Sequence, residues 1–496
     1  MDEQVPRSTP PSLAEPQAEG VANPAATLLG RGGVYTVVTL VQSFSVFLVL
    51  PVLSRELGPR QYGVVATCVV VYQLLLVLAP VGLNAVVPWD YYERKADGLD
   101  RSRRLGASAW LVAIAVVAFA HFSGPAWSGV LEEVPYGGAL TIAVLSVVPG
   151  TALLIAQAML QAQARPVAFA TCTLASVVGG QLVGLALVLL TDGGARCYLA
   201  GLAFGAGAGG FVGYVLTGIR PWRLARWSHV AGAVRHGGPT AVHGAAFILL
   251  ASGDRVVIER LLGLDDAGRY HVAYLVGAIG LSAIQSLNNA WGPMVYGSAE
   301  RGRWELLAST TSMMYTLALF IAGGVAIGAP LPLRLLLPDS FDPEGLAAVC
   351  AIVGFCVVPT VTYLSGVHVV FRQRRTVVLA WTTPLAGVVN IVLNMMLIPI
   401  WGLAGSAVAT LLSYVLWAGL VRRAANRAQP VLWDRGVEVR TYVGAATFVA
   451  VGATIPAAGP WLGFRAFASC VLLVLMVRRT TTWLRASTRA ASTTRH

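Results

Sequence analysis

Residues 55–91 of this chain recur at 260–296, displaced by a constant 205 positions without a gap. Arg55, Leu57, Gly58, Gly63, Val71, Leu76, Asn84, Ala85, Pro88 and Tyr91 match Arg260, Leu262, Gly263, Gly268, Val276, Leu281, Asn289, Ala290, Pro293 and Tyr296. Ten identities over 37 positions, Asn, Pro, Tyr and Arg among them, exceed what shared apolar composition supplies. The chain therefore reads as two homologous halves. Both copies lie in sequence apolar enough to fill a bilayer. The chain is 56% hydrophobic and 12% charged, where a soluble domain carries about 25% charged residues. With roughly 20 apolar residues needed per crossing, about fourteen segments qualify between residues 27 and 477. The expected fold is an all-α polytopic membrane protein.

Charge orients these segments. With the N-terminus inside, the cytoplasmic connections hold 27 of the 35 basic residues and the outer connections 7, and Arg255 lies within a span. That asymmetry predicts both termini in the cytoplasm and an even number of spans. The net charge of +12 is then a topology signal, with attraction to the anionic inner leaflet as a second effect. Basic residues scattered over eight short segments give no nucleic-acid-binding domain. The six cysteines form no CxxC pair and read as small apolar residues.

Six spans separate the two copies, so they share one orientation. The pseudo-two-fold axis should run along the membrane normal. The expected organisation is a disordered cytoplasmic tail over residues 1–26 and a first six-helix lobe over 27–217. A basic cytoplasmic linker over 218–237 leads to a second six-helix lobe over 238–424. Residues 425–478 hold a loop and two extra C-terminal helices, and 479–496 form a basic tail. A proline-rich connection near 330–345, with Leu335, Leu336 and Leu337, reads as a short interfacial element. No connection is long enough for a soluble catalytic domain, which argues against an enzyme. A duplicated bundle instead offers a cleft that can open to either side.

Particular phrases carry a family resemblance. The run Leu53 to Gly63 (LSRELGPRQYG) after the first span resembles the first outer turn of polysaccharide flippases of the multidrug/oligosaccharidyl-lipid/polysaccharide exporter superfamily. Asp254-Arg255, Leu262-Gly263, Gly268-Arg269-Tyr270 and Ala273-Tyr274 resemble the seventh and eighth spans of those proteins. Asn390, Asn394, Leu397-Ile398-Pro399, Gly402, Gly405-Ser406-Ala407, Ala409-Thr410 and Ser413-Tyr414 resemble the eleventh and twelfth. The resemblance implies a flippase that carries a polyprenyl-diphosphate-linked oligosaccharide from the inner to the outer leaflet of a bacterial cytoplasmic membrane. It implies no cofactor beyond possible coupling to an H+ or Na+ gradient, and a glycan polymerase or assembly proteins as possible partners. A lipid II flippase is an alternative, although the arginine-rich first span of that branch is missing. A cation-coupled multidrug exporter of the same superfamily and a membrane glycan polymerase or ligase are the others. The last would need a long outer loop with catalytic Arg, His or Glu.

For such a substrate the candidate cavity residues are the polar ones at depth. Charged residues inside a span cost several kcal/mol unless paired or facing water. Asp254 and Arg255 stand where the first half has Val49 and Leu50, so their charge belongs to one half only. Arg255 could bind a diphosphate or sugar with Asp254 as its partner or as a proton or cation site; alternatively the two could form a local charge cluster with Glu259 or Arg260. Asn84 and its repeat equivalent Asn289, with Gln285 one turn before it, could bond a sugar or simply a neighbouring helix. Gln42 is the best cavity position in the first span. His243, about three turns before Asp254, could relay a proton to it. Arg31, between Gly30 and Gly32-Gly33, could meet a diphosphate at the inner mouth or act as a positive-inside residue. No metal site is expected.

Overall fold

The computed structural model describes residues 24–93 and 97–493, and those residues hold α-helices and short 3-10 turns without a strand. The first half contains α1 (Pro24–Leu78), α2 (Leu83–Glu93), α3 (Gly98–Phe122), α4 (Gly124–Trp127), α5 (Gly138–Ala162), α6 (Pro166–Leu190) and α7 (Gly194–Thr217). The second contains α8 (Trp227–Ser252), α9 (Asp254–Leu262), α10 (Leu264–Gly277), α11 (Ile279–Gly297), α12 (Arg303–Gly328), α13 (Pro330–Leu336), α14 (Leu346–Phe355), α15 (Val357–Arg372) and α16 (Val377–Ala428). Two further helices, α17 (Arg435–Thr454) and α18 (Trp461–Thr493), complete the chain.

Nine of these helices are long and apolar enough to cross a membrane, or up to eleven when two bent pairs, α8 with α9 and α10 with α11, each count as one span. By length and composition the expected count of fourteen is not reached among the described residues. Two of the helices that qualify are interrupted: Gly58 breaks α1 (φ 64°, ψ 176°) and Gly402 breaks α16 (φ 55°, ψ −135°). Positive φ with extended ψ is a conformation open to glycine and closed to residues with a Cβ. The chain is a multi-pass membrane protein. α18 continues as helix to Thr493, past residue 479 where the sequence places a solvated tail.

The internal repeat is visible in the backbone. Gly263, the equivalent of Gly58, separates α9 from α10 with φ 93° and ψ 177°. The two helix breaks meet on one side of the molecule. A Cβ on Gly63 would collide with the Leu264 carbonyl, and a Cβ on Gly268 would collide with the Pro59 carbonyl. Moving Gly63 up and Leu264 down by 205 positions gives Gly268 and Pro59, so the contact is two-fold in form. Around it lies one core cluster drawn from both halves, including Leu53, Leu57, Tyr62, Leu264, Tyr270 and Phe341.

The 330–345 connection differs from a surface-lying segment. α13 and the turn after it drive Leu333, Leu337 and Phe341 into that shared core, Ser54 Oγ donates 3.2 Å to the Leu336 carbonyl, and Leu335 alone of the leucine run stays exposed. In the first half, small residues let helices touch: Gly184 of α6 lies against Gly201 of α7 so closely that a Cβ on Gly201 would overlap the Gly184 backbone. Close backbone approach of this kind supports helix association where lipid removes the hydrophobic drive. The six cysteines are unpaired.

The C-terminal pair is held by one side chain. Arg465 of α18 is buried and donates to the carbonyls of Ile327 (2.7 Å), Gly452 (2.7 Å), Pro456 (3.2 Å) and Ile455. These carbonyls belong to the ends of α12 and α17 and to the turn that follows α17. An orphaned buried acceptor costs on the order of 1–3 kcal/mol. Arg465→Ala should therefore lower stability by about 3 kcal/mol or more and open the turn between α17 and α18 to proteases. Thermal unfolding with limited proteolysis of the purified protein checks this; an unchanged melting temperature would show that the clasp carries no load.

Candidate functional site

The helix breaks of the second half generate the site. α8 bends by 44° into α9 at Gly253, and Asp254 begins the new helix. Its Oδ1 accepts the Arg255 backbone N–H at 3.0 Å, satisfying a first-turn donor. The same oxygen accepts Arg255 Nη1 at 2.6 Å, and Nη1 also donates to the Ala251 carbonyl at 2.7 Å. Oδ2 accepts the Tyr270 hydroxyl at 2.8 Å and that of Thr410 at 3.3 Å. The guanidinium lies over the Tyr274 ring, 4.0 Å from its centroid. Asp254 has no exposed surface and Arg255 has 3%. The two charges form a buried pair, where separation of either partner is expensive.

The polar chain continues into α16. Thr410 is also reached by Asn390 Nδ2 at 3.4 Å, Asn394 donates back to the Asn390 carbonyl at 2.8 Å, and Ser406 donates to Asn394 Oδ1 at 2.6 Å. All are buried. The ion pair is thus tied to both arms of the helix that Gly402 divides.

On its open side Arg255 faces a cavity of about 270 Å³ between the halves. Phe44, Phe47, Ala66, Val69 and Gln73 line it from α1, and Ser252, His271 and Tyr274 from the second half. A shift of 205 pairs these walls: Phe47 with Ser252, Ala66 with His271, Val69 with Tyr274, and Gln73 with Ala278. The cavity sits on the pseudo-symmetry axis with chemistry that is not symmetric. Its second-half wall bears Arg255, His271, Tyr274 and Ser252; Gln73 is the polar group of the first-half wall. His271 Nδ1 is buried without a partner, and the His271 and Tyr62 rings lie 5.9 Å apart.

The two halves also touch at either end of the seam. At the Gly58/Gly263 end the two-fold glycine contact is reinforced by Arg60 to Glu133 at 2.6 Å and Arg60 to Asp265 at 3.7 Å. Glu259 accepts the Glu133 backbone N–H at 2.6 Å, and Glu133 accepts that of Leu264 at 3.3 Å. At the opposite end Gly82, before α2, meets Gly237 of α8 backbone to backbone. Asp90 of α2 there lies 2.7 Å from His229 of α8 and 3.6 Å from Arg101 of α3.

Of the sequence-derived candidates, Asp254 and Arg255 are together in the site, paired with each other. The expected alternative of Glu259 or Arg260 as partner does not hold: Glu259 turns to Glu133, and Arg260 donates to the Val130 carbonyl at 3.4 Å. His243 points to α16, with Nδ1 at 3.3 Å from the Leu379 carbonyl, so it forms no relay to Asp254. Gln42 is exposed on α1 while Phe44 and Phe47 face the cavity. Gln285 and Asn289 are exposed on α11 and Asn84 is half-buried on α2; none lines the cavity. The side chain of Arg31 lies outside the described residues. Sequence reasoning missed His271, Tyr270, Tyr274 and Thr410. The comparison of repeat halves that singled out Asp254 and Arg255 would have found His271, because Ala66 is its equivalent.

The pairing predicts a non-additive mutant series. Asp254→Ala leaves a buried unpaired guanidinium and should cost about 3–5 kcal/mol, whereas Asp254→Ala combined with Arg255→Ala should cost less than the sum of the single changes. Melting curves of the three purified variants test it. Strictly additive losses would mean the two side chains do not interact.

Comparison with known proteins agrees with this architecture. Residues 28–296 match the family described as polysaccharide biosynthesis protein. A lipid II flippase MurJ in an inward closed conformation superposes with a TM-score of 0.66 at 10% identity, covering 92% of this chain and 99% of that one. An inward-facing multidrug resistance MATE family transporter of the MOP superfamily gives 0.62 at 12% identity, covering 79% and 97%. The Vibrio cholerae MATE transporter VcmN in its bent form gives 0.54 at 13% identity, covering 85% and 99%. No curated protein matches by sequence. At these identities the structural likenesses establish the fold.

Proposed function

The chain belongs to the polysaccharide biosynthesis protein family, and from that premise we propose that it is a flippase, not an enzyme, that moves a polyprenyl-diphosphate-linked oligosaccharide between leaflets by alternating access. The observation that carries this reading is the cavity on the seam between two repeat halves, which touch at either end of that seam through contacts that need not hold together. A volume of about 270 Å³ is below the roughly 300–1,000 Å³ of sites for drug-sized ligands. An oligosaccharide head enters only after the contacts at one end open and the halves part. In this reading the membrane is that of a bacterial cell and the arginine-rich Asp90/His229 end faces its cytoplasm, as the charge asymmetry of the connections favours, so loading breaks Asp90–His229 and release breaks Arg60–Asp265. The phosphate-bearing head then meets Arg255, His271, Tyr274 and Ser252 on one wall, and Phe44 and Phe47 offer apolar faces on the other. Arg255 acts as a hydrogen-bond donor whose charge Asp254 balances.

That balance favours a second reading. A cavity with a neutralised cation and aromatic walls also suits an apolar or cationic small molecule, exported against H+ or Na+ with Asp254 as coupling site, as in a multidrug exporter. The substrate decides between them. Deleting the gene should make a lipid-linked glycan accumulate on the inner leaflet without raising sensitivity to cationic dyes; dye sensitivity with normal surface glycan would establish the exporter. Accumulated lipid II would assign the substrate to peptidoglycan.

The cycle can be tested directly. Cysteines at positions 60 and 265, joined by a short bismaleimide, should reduce glycan export at least tenfold, with each single cysteine near normal. Full export by the cross-linked protein would exclude opening at that end.

A further inference from the structure

A second polar site lies on the arginine-rich face, away from the seam cavity. Asp100, Arg103 and Arg104 from the first turns of α3, with Gly218, Arg220 and Arg223 from the linker between α7 and α8, enclose a pocket of about 260 Å³. Four guanidinium groups face one carboxylate there. Asp100 is committed to Arg104 at 2.6 Å, so the remaining arginines have no acidic partner within the pocket. Arg103 donates Nε to the Thr217 carbonyl at 2.8 Å and packs its guanidinium over Gly218, which ends α7 with a φ of 70°.

The pocket is built into the fold. Ile219 is buried with Leu105, Ile155 and Met159, and the Ala225 backbone N–H donates to Ser108 Oγ at 2.9 Å. The linker is thereby fastened along α3 on both sides of Arg220 and Arg223. Beside these anchors large apolar side chains face outward: Trp222 of the linker is 76% exposed, Trp227 at the start of α8 is 78% exposed, and Leu224 is also exposed. Indole rings prefer the depth of lipid headgroups. Basic pockets on the cytoplasmic side of membrane proteins bind multiply charged phospholipid headgroups. A soluble phosphate compound would use the arginines but gives no reason for the tryptophans beside them.

We propose that Arg103, Arg104, Arg220 and Arg223 form a binding site for the phosphodiester headgroup of an anionic phospholipid of the inner leaflet, with Trp222 and Trp227 holding the linker at headgroup depth. The site clamps the linker that joins the two halves to the first half. The assignment is independent of what the seam cavity carries.

Native mass spectrometry of the full chain in detergent, titrated with cardiolipin, phosphatidylglycerol or phosphatidylcholine, tests it. Wild type should bind cardiolipin at least fivefold more tightly than phosphatidylcholine. Arg220→Gln with Arg223→Gln should remove that preference while leaving the lipid-free melting temperature unchanged. Trp222→Ala with Trp227→Ala should weaken cardiolipin at least threefold and leave any binding of glycerol phosphate unaltered; this second variant decides if the arginine variant is misfolded. Equal cardiolipin affinity in all three proteins would overturn the site. Displacement of cardiolipin by millimolar glycerol phosphate would make it a soluble-phosphate site, and displacement by a lower concentration of polyprenyl diphosphate would make it a loading station for the transported lipid. Either result overturns the phospholipid assignment.

Discussion

Where α1 crosses α10, main chain touches main chain: Gly63 lies against Leu264 and Gly268 against Pro59, each contact being the image of the other under the 205-residue repeat. In a bilayer, apolar side chains gain little by leaving lipid for protein, so helices associate through close packing and hydrogen bonds. A methyl group at either glycine would separate the halves at their tightest point. This crossing also fixes what lies below it. Tyr62, Val65, Tyr270 and Tyr274 follow within three turns of the contact, and the cavity opens where the diverging helices no longer fill the seam.

The cavity inherits the symmetry of that crossing and departs from it in chemistry. Equivalent positions furnish Phe47 and Ser252, Ala66 and His271, Val69 and Tyr274. A symmetric crevice would treat a bound molecule alike from either side; this one has a polar wall and an apolar wall. The ion pair of Asp254 and Arg255 is the costly element of the polar wall. Taking two charges out of water is repaid only by good geometry and further hydrogen bonds, which Tyr270, Thr410 and the Ala251 carbonyl supply. Arg255 is thus held in place at the edge of the cavity with its charge balanced by Asp254.

Much of this was legible in the sequence because a duplication leaves a signal that needs no structure. The constant shift placed Gly58 and Gly263 at equivalent helix breaks, and the one-sided occurrence of Asp254-Arg255 pointed to the site. The polar residues Gln42, Gln285 and Asn289 were misread for a physical reason. Periodicity shows which residues share a face, but not whether that face turns to the seam, to another helix or outward. Phe44 and Phe47 face the cavity while Gln42, two residues before Phe44, does not. His243 illustrates the same gap: it shares a helical stripe with Asp254 in an unbroken rod, and the 44° bend at Gly253 takes the two out of line. Nothing in the sequence marks Arg465 as a clasp, because only the fold brings four carbonyls from α12, α17 and the following turn around it.

The breaks themselves are distributed unequally, and that has a mechanical meaning. α3, α5, α6 and α7 of the first half run as single rods with glycines at their contacts, whereas α8 and α9, α10 and α11, and α14 and α15 of the second half are interrupted at Gly253, Ala278 and Cys356. Interrupted helices place unpaired backbone groups and adjustable angles where they can line a cavity, and element ends absorb dihedral change that continuous helices resist. Gly253 and Ala278 flank the polar wall, so a change in the bend at either one moves Ser252, Arg255 and Tyr274 relative to Phe47 and Val69 on α1. The half that carries the polar groups is also the half built to shift them.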